Sequence, residues 1–213
     1  MVKNLNNNLP LQSKTSKSML NVILFGSPGA GKGTQSAKLI ERYKLTHLST
    51  GDVFRYNIKN ETDLGVLAKS FIDKGALVPD EVTNNMVRDF VKRNLNEYGF
   101  IFDGYPRTIA QGEELAKMLE ALNTEVSMML ALEVDEDELV RRLLERGKTS
   151  GRVDDQNEET IRTRFKVYKD ETSPLAAFYS SKNKFVGVPG MGSVDEIFEG
   201  LCNAIEAKQS DKD

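Results

Sequence analysis

The chain has 213 residues, of which 39% are hydrophobic and 29% charged, and its formal net charge is -3. These values are typical of a globular protein with one domain plus inserts, or two small domains. The charge gives no basic footprint for nucleic acid, and no run of about 18 apolar residues predicts a membrane span. The single cysteine, Cys202, excludes an internal disulfide and a four-cysteine zinc site and fits a reducing compartment such as the cytoplasm.

Residues 1–18 are rich in Asn, Lys and Ser and contain no acidic residue. They lack the apolar core of a signal peptide and the arginines of a transit peptide. We therefore expect a flexible N-terminal tail, a folded part that spans about 19–207, and a short C-terminal tail at 208–213.

Five short apolar runs predict β-strands, and helical patterns fall between them. The strands are expected at 20–25, 46–48, 99–102, 128–133 and 184–188. The helices are expected at roughly 34–43, 51–58, 62–74, 80–95, 108–121, 135–146, 157–181 and 193–207. Asp135 and Ser193 are predicted N-caps. Alternating strands and helices predict a parallel sheet covered on both faces, which binds ligands at the carboxyl ends of its strands.

Two segments interrupt this alternation. Residues 49–78 place two short helices where one crossover would suffice, and residues 145–156 form a polar, charged loop. Neither segment has the composition to form a core of its own. Both are predicted to be appendages of the sheet, and appendages over a ligand site are candidate lids.

The string GSPGAGKGTQ at 26–35 follows a predicted strand and precedes a predicted helix. Glycines at these positions let backbone N–H groups turn around an anion, and the helix N-terminus adds its positive dipole end. Lys32 supplies a mobile positive charge for the outer phosphates. A plain glycine-rich turn with a surface lysine is the weaker interpretation, because the flanking elements are those that a phosphate-binding loop requires.

A second strand end carries Asp103, which after a phosphate-binding loop is interpreted as the acid that orients Mg²⁺ and its waters. The turn at Gly104 and Pro106 aims Arg107 at the same place, although a surface arginine on an ordinary turn is the alternative. Upstream, Thr50 or the serine before it can cap a helix that carries Arg55 one turn in. Taken alone, that segment is an ordinary capped helix.

The loop at 145–156 carries Arg146 and Arg152, and the next helix offers Arg162 and Arg164. A solvated charged loop is the simplest interpretation. However, glycines punctuate the arginines, as in a loop that wraps a phosphate. Converging arginines suit phosphoryl transfer, whose charge-rich transition state needs electrostatic clamping more than acid–base chemistry.

Seven strings in order, GSPGAGKGTQ, LSTGDVFR, GALVPDE, DGYPRTIAQGEE, ERGKTSGRVDD, EETIRTR and GSVDEIF, make the chain similar to adenylate kinases of the short-lid type, in the nucleoside monophosphate kinase family. The resemblance covers about residues 19–207. It implies an α/β fold: a P-loop NTPase-type, five-stranded parallel sheet with helices on both faces. The implied core is 19–48, 79–144 and 157–207, with a helical AMP-binding insert at 49–78 and a short lid at 145–156.

The resemblance also implies a reaction, the reversible and Mg²⁺-dependent conversion of ATP and AMP into two ADP by direct in-line transfer with lid closure. The implied role is adenine nucleotide homeostasis, by a cytoplasmic monomer with no nucleic-acid or membrane partner. Because Gly33 stands where most P-loops place Ser or Thr, no direct protein ligand to Mg²⁺ is expected: waters would hold the ion, with Asp103 behind them. No structural zinc is expected either, since the longer zinc-stabilised lid is missing.

Site residues carry over from the resemblance position by position. The implied ATP-binding residues are Gly29, Ala30, Gly31, Lys32, Gly33, Thr34, Arg146 and Gly192. The implied AMP-binding residues are Thr50, Arg55, Ala76, Leu77, Val78, Gly104, Tyr105, Pro106, Arg107, Gln111, Arg152 and Arg164. The implied catalytic residues are Lys32, Asp103, Arg107, Arg146, Arg152 and Arg164. An extra residue at 156–157 leaves open whether Arg162 or Arg164 is the second lid-side clamp, although the string EETIRTR favours Arg164.

Three other functions stay open at this point. A kinase for UMP and CMP shares the scaffold, but Thr50 and Gln111 favour adenine. A nucleotide-binding regulatory module without catalysis is disfavoured by the complete set of arginines. A GTPase-type switch would have Ser or Thr after Lys32 and an N-K-x-D string, which is missing. The choice between ATP and GTP as donor is only weakly determined.

Overall fold

The computed structural model describes residues 19–96 and 98–210 of the chain. The tail expected at 1–18 lies outside the described residues, as do residues 211–213 of the expected C-terminal tail. Residues 208–210 are described and belong to the last helix.

Five parallel strands form one sheet in the order β2-β3-β1-β4-β5. The strands are β1 Val22–Phe25, β2 Thr46–Ser49, β3 Phe100–Asp103, β4 Met128–Glu133 and β5 Phe185–Pro189. The register pairs Leu24 of β1 with Asp103 of β3 on one side and with Leu130 of β4 on the other. The predicted parallel sheet of five strands is therefore confirmed, and the ends of β1 and β3 lie side by side.

Nine α-helices connect and cover the strands within the described residues. They are α1 Lys32–Tyr43, α2 Thr50–Lys59, α3 Asp63–Ile72, α4 Asp80–Arg93, α5 Ile109–Glu120, α6 Glu136–Thr149, α7 Glu158–Val167, α8 Pro174–Ser180 and α9 Val194–Ser210. A short 3₁₀ turn at Val153–Asp155 follows α6.

The helical pattern predicted at 157–181 is present, but it is not a single α-helix. A π-helical turn at Tyr168–Thr172 separates α7 from α8, and the Ser173 N–H donates to the Tyr168 carbonyl over 2.8 Å. Pro174 is the first residue of α8 and has no N–H to continue the α-helical ladder across this point. Tyr168 and Thr172, at the two ends of this π-helical turn, line the ligand cleft.

Helix starts follow local side-chain chemistry. The Ser193 hydroxyl accepts a hydrogen bond from the Glu196 N–H (3.2 Å), and the Glu196 carboxylate accepts one from the Ser193 N–H (2.8 Å). This reciprocal pair is a capping box and confirms Ser193 as an N-cap. Asp135 occupies the N-cap position of α6 but makes no side-chain cap hydrogen bond there. Ser49, rather than Thr50, caps α2 by accepting from the Asp52 N–H.

Apolar residues fill both faces of the sheet. On one face β1 and β4 pack against α1 and α9, with Leu39 and Leu201 fully buried. On the other face β3 packs against α4, α5 and α8, with Phe100 and Leu115 fully buried. Parallel strands covered on both sides read as apolar runs, which is why the sequence pattern located them.

The insert at 49–78 holds a small apolar cluster centred on Phe54, Ala68 and Val78. Val82 and Met86 of α4 complete this cluster, so the insert packs partly on the main domain. This arrangement holds α2 and α3 above the carboxyl ends of β1 and β3.

Candidate active site

The loop between β1 and α1 is shaped by its glycines. Gly29 has a φ of +87°, and a Cβ there would lie only 2.9 Å from the Leu139 carbonyl oxygen. A side chain at this position would therefore strain the backbone and collide with α6. The loop can take this course only with glycine, and it leads directly into the N-terminus of α1.

Lys32 is the first residue of α1 and folds back over the loop. Its Nζ donates to the carbonyl oxygens of Gly26 (2.6 Å) and Ser27 (3.0 Å). Burial lowers the pKa of the Lys32 ammonium to about 8; the nearby Asp103 opposes this effect, and Arg107 adds to it. Burial therefore disfavours the positive charge of Lys32 in the free protein, and a bound anion would stabilise that charge.

Asp103 ends β3, and the turn after it directs Arg107 into the cleft. Arg107 Nε donates to the Gly104 carbonyl (2.8 Å), and the Arg107 backbone N–H donates to Gln111 Oε1 (2.7 Å). Burial lowers the pKa of Arg107 to about 10, so the guanidinium remains positively charged at neutral pH. The sequence prediction that this turn aims Arg107 at the end of the sheet agrees with its position.

The insert touches the same turn. Thr50 Oγ1 donates to the Gly104 carbonyl over 2.8 Å, which ties the start of α2 to the end of β3. Arg55 lies one turn further along α2 and forms an ion pair with Asp52. The segment from Ala76 to Val78 lines the same side of the cleft.

Arg146 of α6 and Arg164 of α7 share one buried carboxylate, that of Asp155. Arg146 pairs with Asp155 through two hydrogen bonds, Nε to Oδ2 (2.7 Å) and Nη2 to Oδ1 (3.0 Å). Arg164 Nη1 donates to Asp155 Oδ1 (2.5 Å) and also lies 2.9 Å from Asp154 Oδ2. The Asp155 side chain has no solvent exposure.

This arrangement favours the ionised form of the Asp155 carboxyl. Burial alone would raise the pKa of the Asp155 carboxyl, but the hydrogen bonds and charge of Arg146, followed by the charge of Arg164, outweigh it, so the pKa is lowered. Asp155 fixes both guanidinium groups by bidentate or shared contacts, which arginine makes better than lysine.

Gly147 has a different role from the one that the sequence indicated. It does not punctuate a loop, because α6 continues past it to Thr149. A Cβ at Gly147 would lie 2.4 Å from the Asp155 carbonyl oxygen. The glycine therefore lets the 3₁₀ turn pack directly on α6, which brings Asp155 to Arg146.

The segment between α6 and α7 and the insert at 49–78 approach each other over the cleft. Arg152 Nη2 lies 3.6 Å from Asp52 Oδ1, and burial lowers the pKa of Arg152. Asp52 thus faces Arg152, which precedes the 3₁₀ turn, as well as Arg55 of its own helix. The two appendages are close together above the ends of β1 and β3.

One cleft of about 200 Å³ collects almost all of the predicted site residues. All of the predicted catalytic residues and all of the predicted AMP-binding residues line it. Of the predicted ATP-binding residues, only Thr34 and Gly192 do not line it. Thr34 is exposed on the first turn of α1. Arg164 lines the cleft, whereas the Arg162 side chain is 78% exposed and pairs with Glu158.

Sequence reasoning missed the acidic partners of these cations. Asp154 and Asp155 were visible in the charged loop, but nothing in their spacing indicated which arginines they would hold. Asp80, the first residue of α4, lies behind Gln111 and accepts a hydrogen bond from it. Asp155 is only nine residues from Arg146 and from Arg164, yet the sequence does not show how the chain turns between them, and Asp80 is 31 residues from Gln111.

One carboxylate of the cleft is placed where it could contribute to binding of a metal ion. The described residues contain no group of three His, Cys, Asp or Glu that would hold a metal ion. Asp103 lines the cleft as a single carboxylate next to the phosphate-binding loop. A lone carboxylate suits Mg²⁺ that is bound mainly by phosphate oxygens and waters.

No helix among the described residues is long and apolar enough to cross a membrane.

Comparison with known proteins agrees with this site. Residues 24–184 match the model of the family described as adenylate kinase. The chain is 54% identical over 188 residues to the adenylate kinase of Flavobacterium johnsoniae, which covers 88% of this chain and 99% of the relative. It is 56% identical over 187 residues to that of Flavobacterium psychrophilum (88% and 98% covered) and 50% identical over 188 residues to that of Bacteroides thetaiotaomicron (88% and 99%). The chain belongs to the adenylate kinase family.

Proposed function

We propose that this protein catalyses the reversible transfer of the terminal phosphoryl group of ATP to AMP, which yields two ADP. The observation that carries the proposal is the convergence of Lys32, Arg107, Arg146, Arg152 and Arg164 on one cleft at the carboxyl ends of the strands. Phosphoryl transfer needs this kind of fixed positive charge around the reacting phosphates.

The cleft divides into a donor half and an acceptor half. The phosphate-binding loop at 29–33 and Arg146 would bind the phosphates of ATP, with Gly192 near its base. The acceptor half consists of the insert at 49–78 and the turn after β3, where Thr50, Arg55 and Arg107 would hold AMP. The loop at 145–156 would act as the lid, with Arg152 and Arg164 on the phosphates between the two halves.

The chemistry needs no general base. The phosphate oxygen of AMP is already anionic and would attack the terminal phosphorus of ATP in line, with ADP as the leaving group. Lys32 would follow the transferred group, and the arginines would offset the charge of the transition state. Mg²⁺, when bound with ATP, would neutralise part of the phosphate charge, and Asp103 would orient the waters around it.

Exclusion of water follows from the contact between lid and insert. Water in an open cleft would accept the phosphoryl group and waste ATP. The approach of Arg152 to Asp52 supports a conformation in which both appendages cover the site. We also propose that the protein is a monomer and that it is located in the cytoplasm.

The test is a coupled turnover assay with Mg-ATP against AMP, UMP, CMP and GMP in turn. Strong turnover with AMP alone would support Thr50 and Gln111 as selectors of the base. A preference for UMP or CMP would preserve the phosphoryl chemistry but overturn the adenine pocket. ATP binding without turnover of any acceptor would indicate a regulatory module instead.

A further inference from the structure

The amide of Gln111 is held in one orientation by two partners of opposite kind. Its Oε1 accepts from the Arg107 backbone N–H over 2.7 Å, and its Nε2 donates to Asp80 Oδ1 over 2.6 Å. A backbone N–H can only donate and a carboxylate can only accept, so a flipped amide would lose both bonds. The side chain lines the cleft although the residue is only 2% exposed.

Asp80 is itself fixed at both oxygens. Its Oδ2 accepts from Thr108 Oγ1 over 2.8 Å, while Oδ1 takes Gln111. Thr108 also caps α5, because its hydroxyl accepts from the Gln111 N–H over 3.1 Å. The carboxylate therefore joins the start of α4 to the start of α5 and has little freedom to move.

This network leaves one hydrogen of the Gln111 amide available. Nε2 carries two hydrogens, and Asp80 takes one of them. The other has no hydrogen-bond partner within the described part of the chain. A side chain whose remaining function is to donate one hydrogen bond suits a base edge that presents an acceptor nitrogen. N1 of adenine is such an acceptor, whereas N1 of hypoxanthine or guanine carries a hydrogen and would oppose it.

We propose that Asp80 is a positioning residue that fixes the Gln111 amide as a hydrogen-bond donor toward the acceptor base, and so contributes to the choice of AMP over IMP and GMP. This inference rests on the proposed function and adds to it the residue that sets the polarity of base recognition. Asp80 does not line the cleft and acts only through Gln111.

Asp80→Ala removes the acceptor, and steady-state kinetics with AMP, IMP and ATP measure the result. We expect the KM for AMP to rise about tenfold, as for the loss of one well-placed hydrogen bond. The preference for AMP over IMP in kcat/KM should fall by a similar factor. The KM for ATP and the kcat at saturating AMP should change less than twofold. Asp80→Ser, too short to reach Gln111 but polar at a helix start, should behave in the same way.

Two further variants separate positioning from helix stability. Asp80→Asn keeps one oxygen for Gln111 and can donate its amide to Thr108, so it should restore the KM for AMP to within about twofold. Glu81→Ala removes the neighbouring exposed acid from the first turn of α4 and should leave the KM for AMP and the preference over IMP unchanged.

The inference would be overturned by an Asp80→Ala enzyme that melts at a lower temperature but keeps its KM for AMP and its base preference. It would equally be overturned if Asp80→Asn were as impaired as Asp80→Ala, since charge rather than hydrogen bonding would then matter. Failure of wild-type turnover with AMP would overturn the proposed function and this inference together, whereas an active wild type with an unchanged Asp80→Ala variant overturns the inference alone.

Discussion

The phosphate-binding loop and the lid side supply positive charge to the same cleft in two different ways. In the loop, Lys32 is held by the carbonyl oxygens of Gly26 and Ser27, five or six residues away. On the lid side, Arg146 and Arg164 are held by Asp155, which reaches them from a separate 3₁₀ turn. The first arrangement is made by local backbone geometry, and the second by an ion cluster that forms only when three segments meet.

This difference predicts different consequences of mutation. A change in the loop should remove a catalytic charge and leave the fold intact. A change in the ion cluster should alter both activity and stability, because a buried charge loses its partner.

The largest effect is expected for Lys32→Met. Removal of the charge should lower kcat by about 1,000-fold, as for other groups that stabilise developing charge, with little change in melting temperature. Steady-state turnover and thermal unfolding measure the two quantities. Lys38→Met, on the same helix and paired with exposed Asp195, is the matched control and should keep full activity. Turnover close to wild type in Lys32→Met would contradict both the site and its function.

Asp155→Ala should be next in size. Arg146 and Arg164 would lose their shared partner and move, so kcat/KM should fall by about 100-fold. The free energy of unfolding should fall by about 3 kcal/mol, the cost of breaking a buried pair. Glu158→Ala, which breaks the exposed pair with Arg162, should change stability by less than about 0.5 kcal/mol. Equal stability loss in the two variants would contradict a stabilising role of the buried ion cluster.

Arg164→Lys tests whether the lid side needs the guanidinium geometry and not only the charge. A lysine cannot contact Asp155, Asp154 and a phosphate together, so kcat/KM should fall by about tenfold or more. Arg162→Lys, two residues away and exposed, is the control and should match wild type. If instead the Arg162 variant loses activity and the Arg164 variant does not, the assignment of the clamp is reversed.

The smallest effect is a response to pH that is confined to the loop. The pKa of Lys32 is about 8 in the free protein, and the negative phosphates of ATP should raise it. ATP binding at pH 8 should therefore take up about half a proton, and affinity should decline as pH rises further. Calorimetry in buffers of different ionisation enthalpy measures this uptake. Absence of proton uptake in wild type, or its persistence in Lys32→Met, would argue against Lys32 as the source.

The same contrast explains how far the sequence alone could go. The strands, the phosphate-binding loop and the turn that carries Arg107 depend on residues that are adjacent in the chain, and they were predicted. The π-helical turn within 157–181, the extension of α6 past Gly147 and the partners of Arg146 and Arg164 depend on how the chain turns between neighbouring segments, which the residue pattern does not specify. Asp80 shows the limit most clearly, because its position at a helix start has an ordinary explanation and its bond to Gln111 is visible only in three dimensions.

The shared carboxylate has a consequence for which anions the cleft accepts. Asp155 holds Nε and Nη2 of Arg146 and Nη1 of Arg164, so a ligand meets the N–H groups that these contacts leave over. A single small anion that reaches one such group makes few contacts and gains little. A chain of phosphates that reaches Lys32 and both arginines at once gains several contacts together. The cluster should therefore select ligands by the number of connected phosphates, and leave isolated phosphate or sulfate as poor inhibitors.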